Sequence, residues 1–122
     1  MKILVVDDEV MYRQSIGEYL HGRGHEVWKA SDGGEALRLM DASPVDMVLS
    51  DIQMPEMDGI AFLKQVREQN PSLPVILMTA YATADTAIAA LRSRAYDYLK
   101  KPFQLAELQG CIDRIEKNGK TR

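Results

Sequence analysis

The stretch KILVVDDE, residues 2–9, places an apolar run directly against acidic residues. Its four successive apolar residues, Ile3–Val6, predict a short strand that is buried on both faces. Asp7, Asp8 and Glu9 follow at once, so like charges lie side by side at the end of a core strand. Charges about 4 Å apart interact by about 4 kcal/mol at an effective dielectric constant of about 20, and a protein keeps such a cluster of carboxylates when a cation belongs in it.

The rest of the chain repeats this alternation of apolar runs and amphipathic segments. The apolar runs predict five strands, at 3–7, 25–30, 46–50, 74–78 and 95–101. The segments between and after them predict five helices, at 10–24, 33–44, 58–71, 83–94 and 104–119. Helical spacing in the last helix is expected to direct four residues inward, namely Leu105, Leu108, Ile112 and Ile115.

This order of elements predicts a doubly wound α/β fold, in which helices cover both faces of a parallel sheet. We expect residues 1–122 to form one domain, because no linker, repeat or low-complexity segment interrupts the pattern. Residues 117–122 are polar, and we expect them to be a frayed tail or the start of a linker.

Composition argues against several other classes of protein. The net charge of −3 and the pI of about 5.3 argue against a nucleic-acid-binding surface, since such surfaces are basic. Cys111 is the single cysteine, so an internal disulfide is impossible. No apolar run approaches the roughly 20 residues of a membrane helix, and the early first strand leaves no room for a signal peptide. We therefore expect a cytoplasmic protein that does not enter a membrane.

Polar side chains follow four of the predicted strands. The carboxyl ends of parallel strands meet at one rim of the sheet, which is where such folds bind ligands. We therefore expect Asp7, Asp8, Asp51, Thr79 and Lys101 to lie close together. Hard carboxylate oxygens suit Mg²⁺, which keeps several waters and takes phosphate oxygens as further ligands. With a lysine and a hydroxyl to hold phosphoryl oxygens, the rim reads as a phosphoryl-transfer site with an aspartate as candidate nucleophile.

Four motifs carry a family resemblance: LVVDDE, MVLSDIQMPEMDG, VILMTAYA and AYDYLKKPF. Together, in this order, they resemble the receiver domain of two-component response regulators. The resemblance spans essentially the whole chain and implies a flavodoxin-like sheet with strand order 2-1-3-4-5. The last motif is similar to that of receivers preceding AAA+ enhancer-binding transcription activators.

The resemblance implies a role for individual residues of the rim. Asp51 would be the phosphoacceptor, and Thr79 and Lys101 would bind the phosphoryl oxygens. The implied ligands of Mg²⁺ are Asp8 and Asp51, with Asp7 close by through water and the backbone carbonyl of Gln53.

The resemblance also implies how the phosphoryl group is detected and how long it lasts. Thr79 and Tyr98 would form a switch that reads the phosphoryl group. Gln53 and Tyr81 flank the site and would tune the lifetime of the product. The Lys101–Pro102 bond would be cis, which fixes the approach of the lysine.

The implied function is a phosphorylation-dependent signalling switch. A histidine kinase would donate from its phosphohistidine to Asp51, and the labile acyl phosphate would erase itself. The face formed by the fourth helix, fifth strand and fifth helix, residues 83–112, would then control an output domain or partner in transcription, or a homodimer.

Simpler explanations exist for single residues. Asp7 or Asp8 alone could be an N-cap, Thr79 alone would more often be a loop or cap residue, and Tyr98 alone an ordinary strand aromatic. These single-residue explanations do not account for two adjacent acids at the same rim as a third acid and a lysine. Arg94 departs from the family, which commonly has glycine there to end the helix in a left-handed conformation. Either this turn has changed, or a strain of about 1–2 kcal/mol is tolerated.

Two rival functions are open at this point. A haloacid dehalogenase-type, Mg²⁺-dependent phosphohydrolase also uses a strand-end aspartate, but it places a second aspartate two residues later, where this chain has Gln53. A pseudo-receiver would keep the fold as a binding module without being phosphorylated, and it should have lost acids or the lysine. This chain keeps all of them.

Overall fold

The computed structural model describes residues 1–120 and contains one five-stranded parallel sheet between two layers of helices. The strands are β1 (Lys2–Val6), β2 (Glu26–Ala30), β3 (Met47–Asp51), β4 (Val75–Thr79) and β5 (Asp97–Lys100). The helices are α1 (Val10–Gly22), α2 (Gly33–Ala42), α3 (Gly59–Gln69), α4 (Ala84–Arg92) and α5 (Leu105–Lys120). The strand order is β2-β1-β3-β4-β5, so the predicted doubly wound fold is confirmed.

The apolar run that opens the chain is buried on both faces of the sheet. Leu4 and Val6 point into a core shared with α2, α3 and α4, whereas Ile3 and Val5 point into a second core shared with α1 and α5. All four side chains are fully buried. The segment Ile3–Val6 is apolar at every position because it is covered on both faces.

The strand register brings the carboxyl ends of the strands to one rim. Val6 of β1 lies opposite Ser50 of β3, so the next residues of both strands emerge together. Asp51 is paired with Met78, and Thr79 is paired with Lys100. A site built from the ends of four strands therefore follows from the register alone.

Two details of α5 differ from the expectation. Leu105 is 45% exposed, since it is the first residue of the helix and lies at the rim of the packed face, whereas Leu108, Ile112 and Ile115 are buried as predicted. The helix continues to Lys120, so the expected tail at 117–122 is helical over its first four residues. Residues 121–122 lie outside the described residues.

The turn between α4 and β5 keeps a left-handed residue although glycine is absent. Arg94 has φ 63°, so the strain is tolerated and the turn is unchanged in kind. The buried guanidinium of Arg67 donates from Nε and Nη2 to the carbonyl oxygen of Arg94, at 3.1 and 2.7 Å. Its Nη1 donates to the carbonyl oxygen of Leu73 at 2.6 Å. Arg67 thus holds this turn against the end of α3.

Within residues 1–120, no helix combines the length and apolar character that a membrane crossing requires.

Candidate functional site

The predicted site residues converge at the rim of the sheet. Asp7 follows β1, Asp51 ends β3, Thr79 ends β4 and Lys101 follows β5, and all four are buried. Asp8 is exposed, and together Asp7, Asp8 and Asp51 form a cluster of three carboxylates, called the acid group below. One carboxylate oxygen from each of the three aspartates lies within 4.8 Å of the others. Three carboxylates and an ammonium therefore share one small volume.

The turn after β1 fixes the carboxylate of Asp7. Its Oδ1 accepts a hydrogen bond from the backbone N–H of Glu9 at 2.9 Å. Its Oδ2 accepts one from Lys101 Nζ at 2.7 Å. Both oxygens are thus engaged, and the side chain is held where β1 gives way to α1.

The loop after β3 is fixed by a close approach of α3 to the phosphoacceptor candidate. The side chain of Asp58 accepts from the N–H of Ala61 at 2.8 Å and caps α3. The N–H of Gly59 donates to the carbonyl oxygen of Ile52 at 2.8 Å. A Cβ atom at position 59 would lie 2.3 Å from the carbonyl oxygen of Asp51, so only glycine allows this contact.

Lys101 is the cationic centre of the site. Its Nζ lies 2.7 Å from Asp7, 3.4 Å from Asp51 and 3.3 Å from Glu9, measured to carboxylate oxygens. It also lies 4.1 Å from the centroid of the Tyr12 ring, a distance typical of a cation–π contact. The Lys101–Pro102 peptide bond is cis.

The electrostatics of the site make the ionised form of Asp51 less stable than in water and the charged form of Lys101 more stable. Burial raises the pKa of Asp51 to about 6, and the charge of Asp7 adds to this rise, whereas Lys101 opposes it. Burial alone would lower the pKa of Lys101, but the hydrogen bond and charge of Asp7, together with Asp51, raise it overall. A further cation beside the three carboxylates would relieve the remaining repulsion.

Thr79 and the two flanking residues are joined by hydrogen bonds. The Thr79 hydroxyl donates to Oε1 of Gln53 and accepts from the N–H of Tyr81 at 2.9 Å. The N–H of Gln53 donates to Oδ1 of Asp51 at 3.3 Å. Tyr81 is 70% exposed and stands at the mouth of the site.

An open pocket of about 240 Å³ lies over the acid group. Its lining combines the predicted residues with Glu9 and Ala80, and the full set is Asp8, Glu9, Asp51, Gln53, Ala80, Tyr81 and Lys101. This volume holds a phosphoryl group with some water.

Tyr98 is half-buried on β5 and contacts α4 by its hydroxyl. Its Oη lies 2.7 Å from Oγ1 of Thr86, in the first turn of α4. Thr86 also forms a capping box with Thr83, which begins the helix. The ring thus connects the fifth strand to the start of α4, a contact that spacing in the sequence did not indicate.

The three aspartates fit a hard divalent cation, because their oxygens lie close enough to share one ion and Asp8 is open to water. The role of the Gln53 backbone carbonyl stays a prediction. Sequence reasoning missed the contacts of Glu9 and Tyr12 with Lys101. The acidic character of Glu9 beside two aspartates was the available signal, whereas nothing in the sequence pointed to the ring of Tyr12.

The chain matches known proteins over almost its whole length. The family model described as the response regulator receiver domain matches residues 3–113. The transcriptional regulatory protein ZraR of Escherichia coli (strain K12) is 42% identical over 92% of this chain and 25% of that protein. The regulatory protein AtoC of the same organism is 47% identical over 93% of this chain and 24% of that protein. The chain thus spans about a quarter of the length of these relatives.

A solved structure agrees with the sequence matches. The response regulator receiver domain protein from Clostridium thermocellum has a TM-score of 0.91 and 34% identity, covering 98% of this chain and 97% of that one. The expected kinship with receivers of transcription activators is confirmed by the regulators named above and by the DNA-binding transcriptional regulator NtrC of Escherichia coli (strain K12), 40% identical over 92% of this chain and 24% of that protein. The chain belongs to the response regulator receiver domain family.

Proposed function

We propose that this domain is a phosphorylation-dependent switch that accepts a phosphoryl group on Asp51. The donor is the phosphohistidine of a histidine kinase. An oxygen of the Asp51 carboxylate attacks phosphorus, the phosphorus–nitrogen bond breaks, and the imidazole nitrogen keeps the bonding pair. The product is an acyl phosphate on Asp51 and a neutral histidine on the kinase.

The observation that carries this proposal is that Asp51 lies beside a buried lysine and two further acids. Lys101 Nζ lies 3.4 Å from Oδ2 of Asp51, so it is placed to hold an oxygen of an incoming phosphoryl group. The Thr79 hydroxyl, now donating to Gln53, supplies a second donor once it turns. Positioning and charge stabilisation of this kind are what phosphoryl transfer requires from a protein.

Mg²⁺ belongs to the same proposal. Asp7, Asp8 and Asp51 would hold it, with the backbone carbonyl of Gln53 as a further ligand. When bound, it would offset the negative charge of the carboxylates and the phosphoryl oxygens. The open pocket over these residues leaves room for water ligands.

The lifetime of the acyl phosphate would be set by two residues at the mouth. Gln53 and Tyr81 both line the pocket, and an attacking water must pass them to reach Asp51. Tyr81 is largely exposed, so its ring can cover or uncover the phosphoryl group with little repacking.

The output surface is the face of α4, β5 and α5. Phosphorylation adds about −1.5 to −2 charge beside Thr79, and a bistable element must read it. We assign this reading to Thr79 and Tyr98. Helix α4 buries a single residue, Ala90, so few interlocking contacts oppose its shift. Three large apolar side chains are exposed at residues 83–112, namely Ile88 at 47%, Leu91 at 77% and Leu105 at 45%. Their exposure suits a partner or dimer surface there.

The length of the relatives supports a partner for that surface. Because those regulators are about four times longer than this chain, we propose an effector domain on the same polypeptide or a partner protein, acting in transcription. A phosphorylation-dependent homodimer is compatible with the same surface. We propose no direct contact of this acidic domain with nucleic acid and no association with a membrane. We place the protein in the cytoplasm.

Labelling with a small phosphodonor tests the proposal. Intact-mass spectra after incubation with acetyl phosphate and Mg²⁺ should show one added phosphoryl group on the parent, and none on Asp51→Asn. Asp58→Asn is the matched control, because asparagine also caps a helix and the residue lies in the same loop. It should label like the parent.

The same experiment separates the rival functions. An unlabelled parent would support a pseudo-receiver, and equal labelling of Asp51→Asn would overturn the phosphoacceptor assignment. Release of phosphate from small phosphoesters, dependent on Mg²⁺ and on Asp51, would instead indicate a phosphohydrolase.

A further inference from the structure

We propose that Glu9 is a specificity-determining residue of the phosphorylation reaction, which disfavours small dianionic phosphodonors through its carboxylate at the mouth of the pocket. The inference rests on the proposed phosphorylation of Asp51. It concerns which phosphodonors react. It also gives a role to Glu9, the third acid of the stretch KILVVDDE, which is not one of the three clustered aspartates.

The first support is the contact of Glu9 with the lysine of the site. Lys101 Nζ donates to Oε1 of Glu9 at 3.3 Å, and it also reaches Asp7 and Asp51. A lysine ammonium has three N–H donors, and three carboxylates surround this one. A phosphodonor must therefore compete with Glu9 for the same ammonium that is to hold its oxygen.

The second support is the exposed position of Glu9. Its side chain is 58% exposed, whereas those of Asp7 and Asp51 are 0% and 4% exposed. Glu9 also lines the pocket over the acid group. Asp8 is exposed in the same pocket, but it is a proposed ligand of Mg²⁺, so the charge of Glu9 is the one that a donor meets from solvent without a bound Mg²⁺ to offset it.

The third support is that the Glu9 side chain, apart from its contact with Lys101, makes no contact that the fold depends on. Glu9 is the N-cap residue of α1, but its side chain makes no capping hydrogen bond. Only its backbone groups serve the turn, through its N–H to Asp7 and its carbonyl oxygen to Arg13. Replacing the carboxylate by an amide should therefore leave the fold intact.

The experiment compares two phosphodonors of different charge, because the charge of Glu9 should affect them to different extents. With acetyl phosphate, a dianion at neutral pH, the Asp51 carboxylate attacks phosphorus, the phosphorus–oxygen bond breaks and acetate leaves with the bonding pair. With phosphoramidate, largely a monoanion whose nitrogen carries the extra protons, the phosphorus–nitrogen bond breaks and ammonia leaves. Both reactions give the same acyl phosphate on Asp51. Because the leaving groups differ, each donor is compared with itself in the variant and the parent, and that ratio reports the effect of the Glu9 charge.

The test compares the second-order rate constants of the two donors in the parent, Glu9→Gln and Glu18→Gln, at fixed Mg²⁺. A unit charge about 8 Å from a donor in water changes the rate about sixfold for a dianion and about twofold for a monoanion. We expect Glu9→Gln to accelerate acetyl phosphate by about sixfold and phosphoramidate by about twofold, and the gain should shrink at high ionic strength. Glu18→Gln removes the same charge from α1 about 13 Å further along the helix, and it should change neither rate.

Equal acceleration of both donors, or none, in Glu9→Gln would overturn the proposal. A parent that neither donor labels would instead refute the phosphorylation of Asp51, so the two failures are distinct. A second readout needs no metal or donor: the ¹⁵N signal of the Lys101 ammonium should shift in Glu9→Gln and stay in place in Glu18→Gln. An unshifted signal in Glu9→Gln would contradict the contact itself.

Discussion

The substitution Asp51→Asn should stabilise the folded protein, and by an amount that depends on pH. The pKa of Asp51 is raised from an ordinary 3.8 to about 6, chiefly by burial. Asparagine resembles the protonated side chain in shape and never ionises. The variant therefore lacks the penalty that the parent incurs when it ionises a carboxylate in this site.

The sign and the pH window follow from this raised pKa. Below the unfolded pKa of 3.8, Asp51 is protonated in both states and costs nothing. As the pH rises through 3.8 toward about 6, the unfolded chain ionises first, and stability is lost until the folded carboxylate has ionised too. A shift of about two units corresponds to at most about 3 kcal/mol, and water at the open mouth reduces this to about 1–2 kcal/mol.

Urea unfolding of both proteins without metal, from about pH 3 to about pH 8, measures this difference. The free energy of unfolding of Asp51→Asn should match that of the parent at the acid end and exceed it by about 1–2 kcal/mol at the alkaline end. Added Mg²⁺ should narrow the gap at alkaline pH, because it stabilises the folded parent by mass action. A difference that is the same at both ends of the range would refute the electrostatic reasoning.

Two further substitutions test the backbone around the site. Arg94→Gly should raise the free energy of unfolding by about 0.5–1 kcal/mol, because φ is 63° there and the side chain is exposed. Arg92→Gly, at the last residue of α4, should instead lower it by less than about 1 kcal/mol, and equal effects of the two substitutions would contradict the strain at Arg94. Gly59→Ala should lower the free energy of unfolding by about 2 kcal/mol or more, because the new Cβ would lie 2.3 Å from the carbonyl oxygen of Asp51. Gly22→Ala is the control, because a Cβ there meets nothing within 4 Å. Chemical denaturation that shows no loss of stability in Gly59→Ala would refute the close approach.

The fold was predictable because each element has a distinct period. Buried strands such as Ile3–Val6 are apolar at every position, whereas helices are apolar on one side only. The convergence of Asp7, Asp51 and Lys101 followed in turn, since parallel strands end at one rim.

The remaining contacts depend on geometry that periodicity does not encode. The contact of Glu9 with Lys101 depends on how the turn after β1 enters α1, and that turn is set by hydrogen bonds of Asp7. Arg67 is a charged residue of α3 that is nevertheless buried, because the backbone carbonyl oxygens of Asn70, Leu73 and Arg94 accept its donors. Arg94 has a left-handed backbone conformation, although non-glycine residues disfavour that conformation, so the sequence alone did not decide whether this turn is kept.

The central claim is that a phosphoryl group on Asp51 is read by the face of α4, β5 and α5. Amide hydrogen exchange with acetyl phosphate and Mg²⁺, followed by mass spectrometry, tests this most directly. In the parent, the donor should change exchange across residues 83–112, and in Asp51→Asn it should change nothing there. Unchanged exchange in the phosphorylated parent, or the same change in Asp51→Asn, would contradict the account.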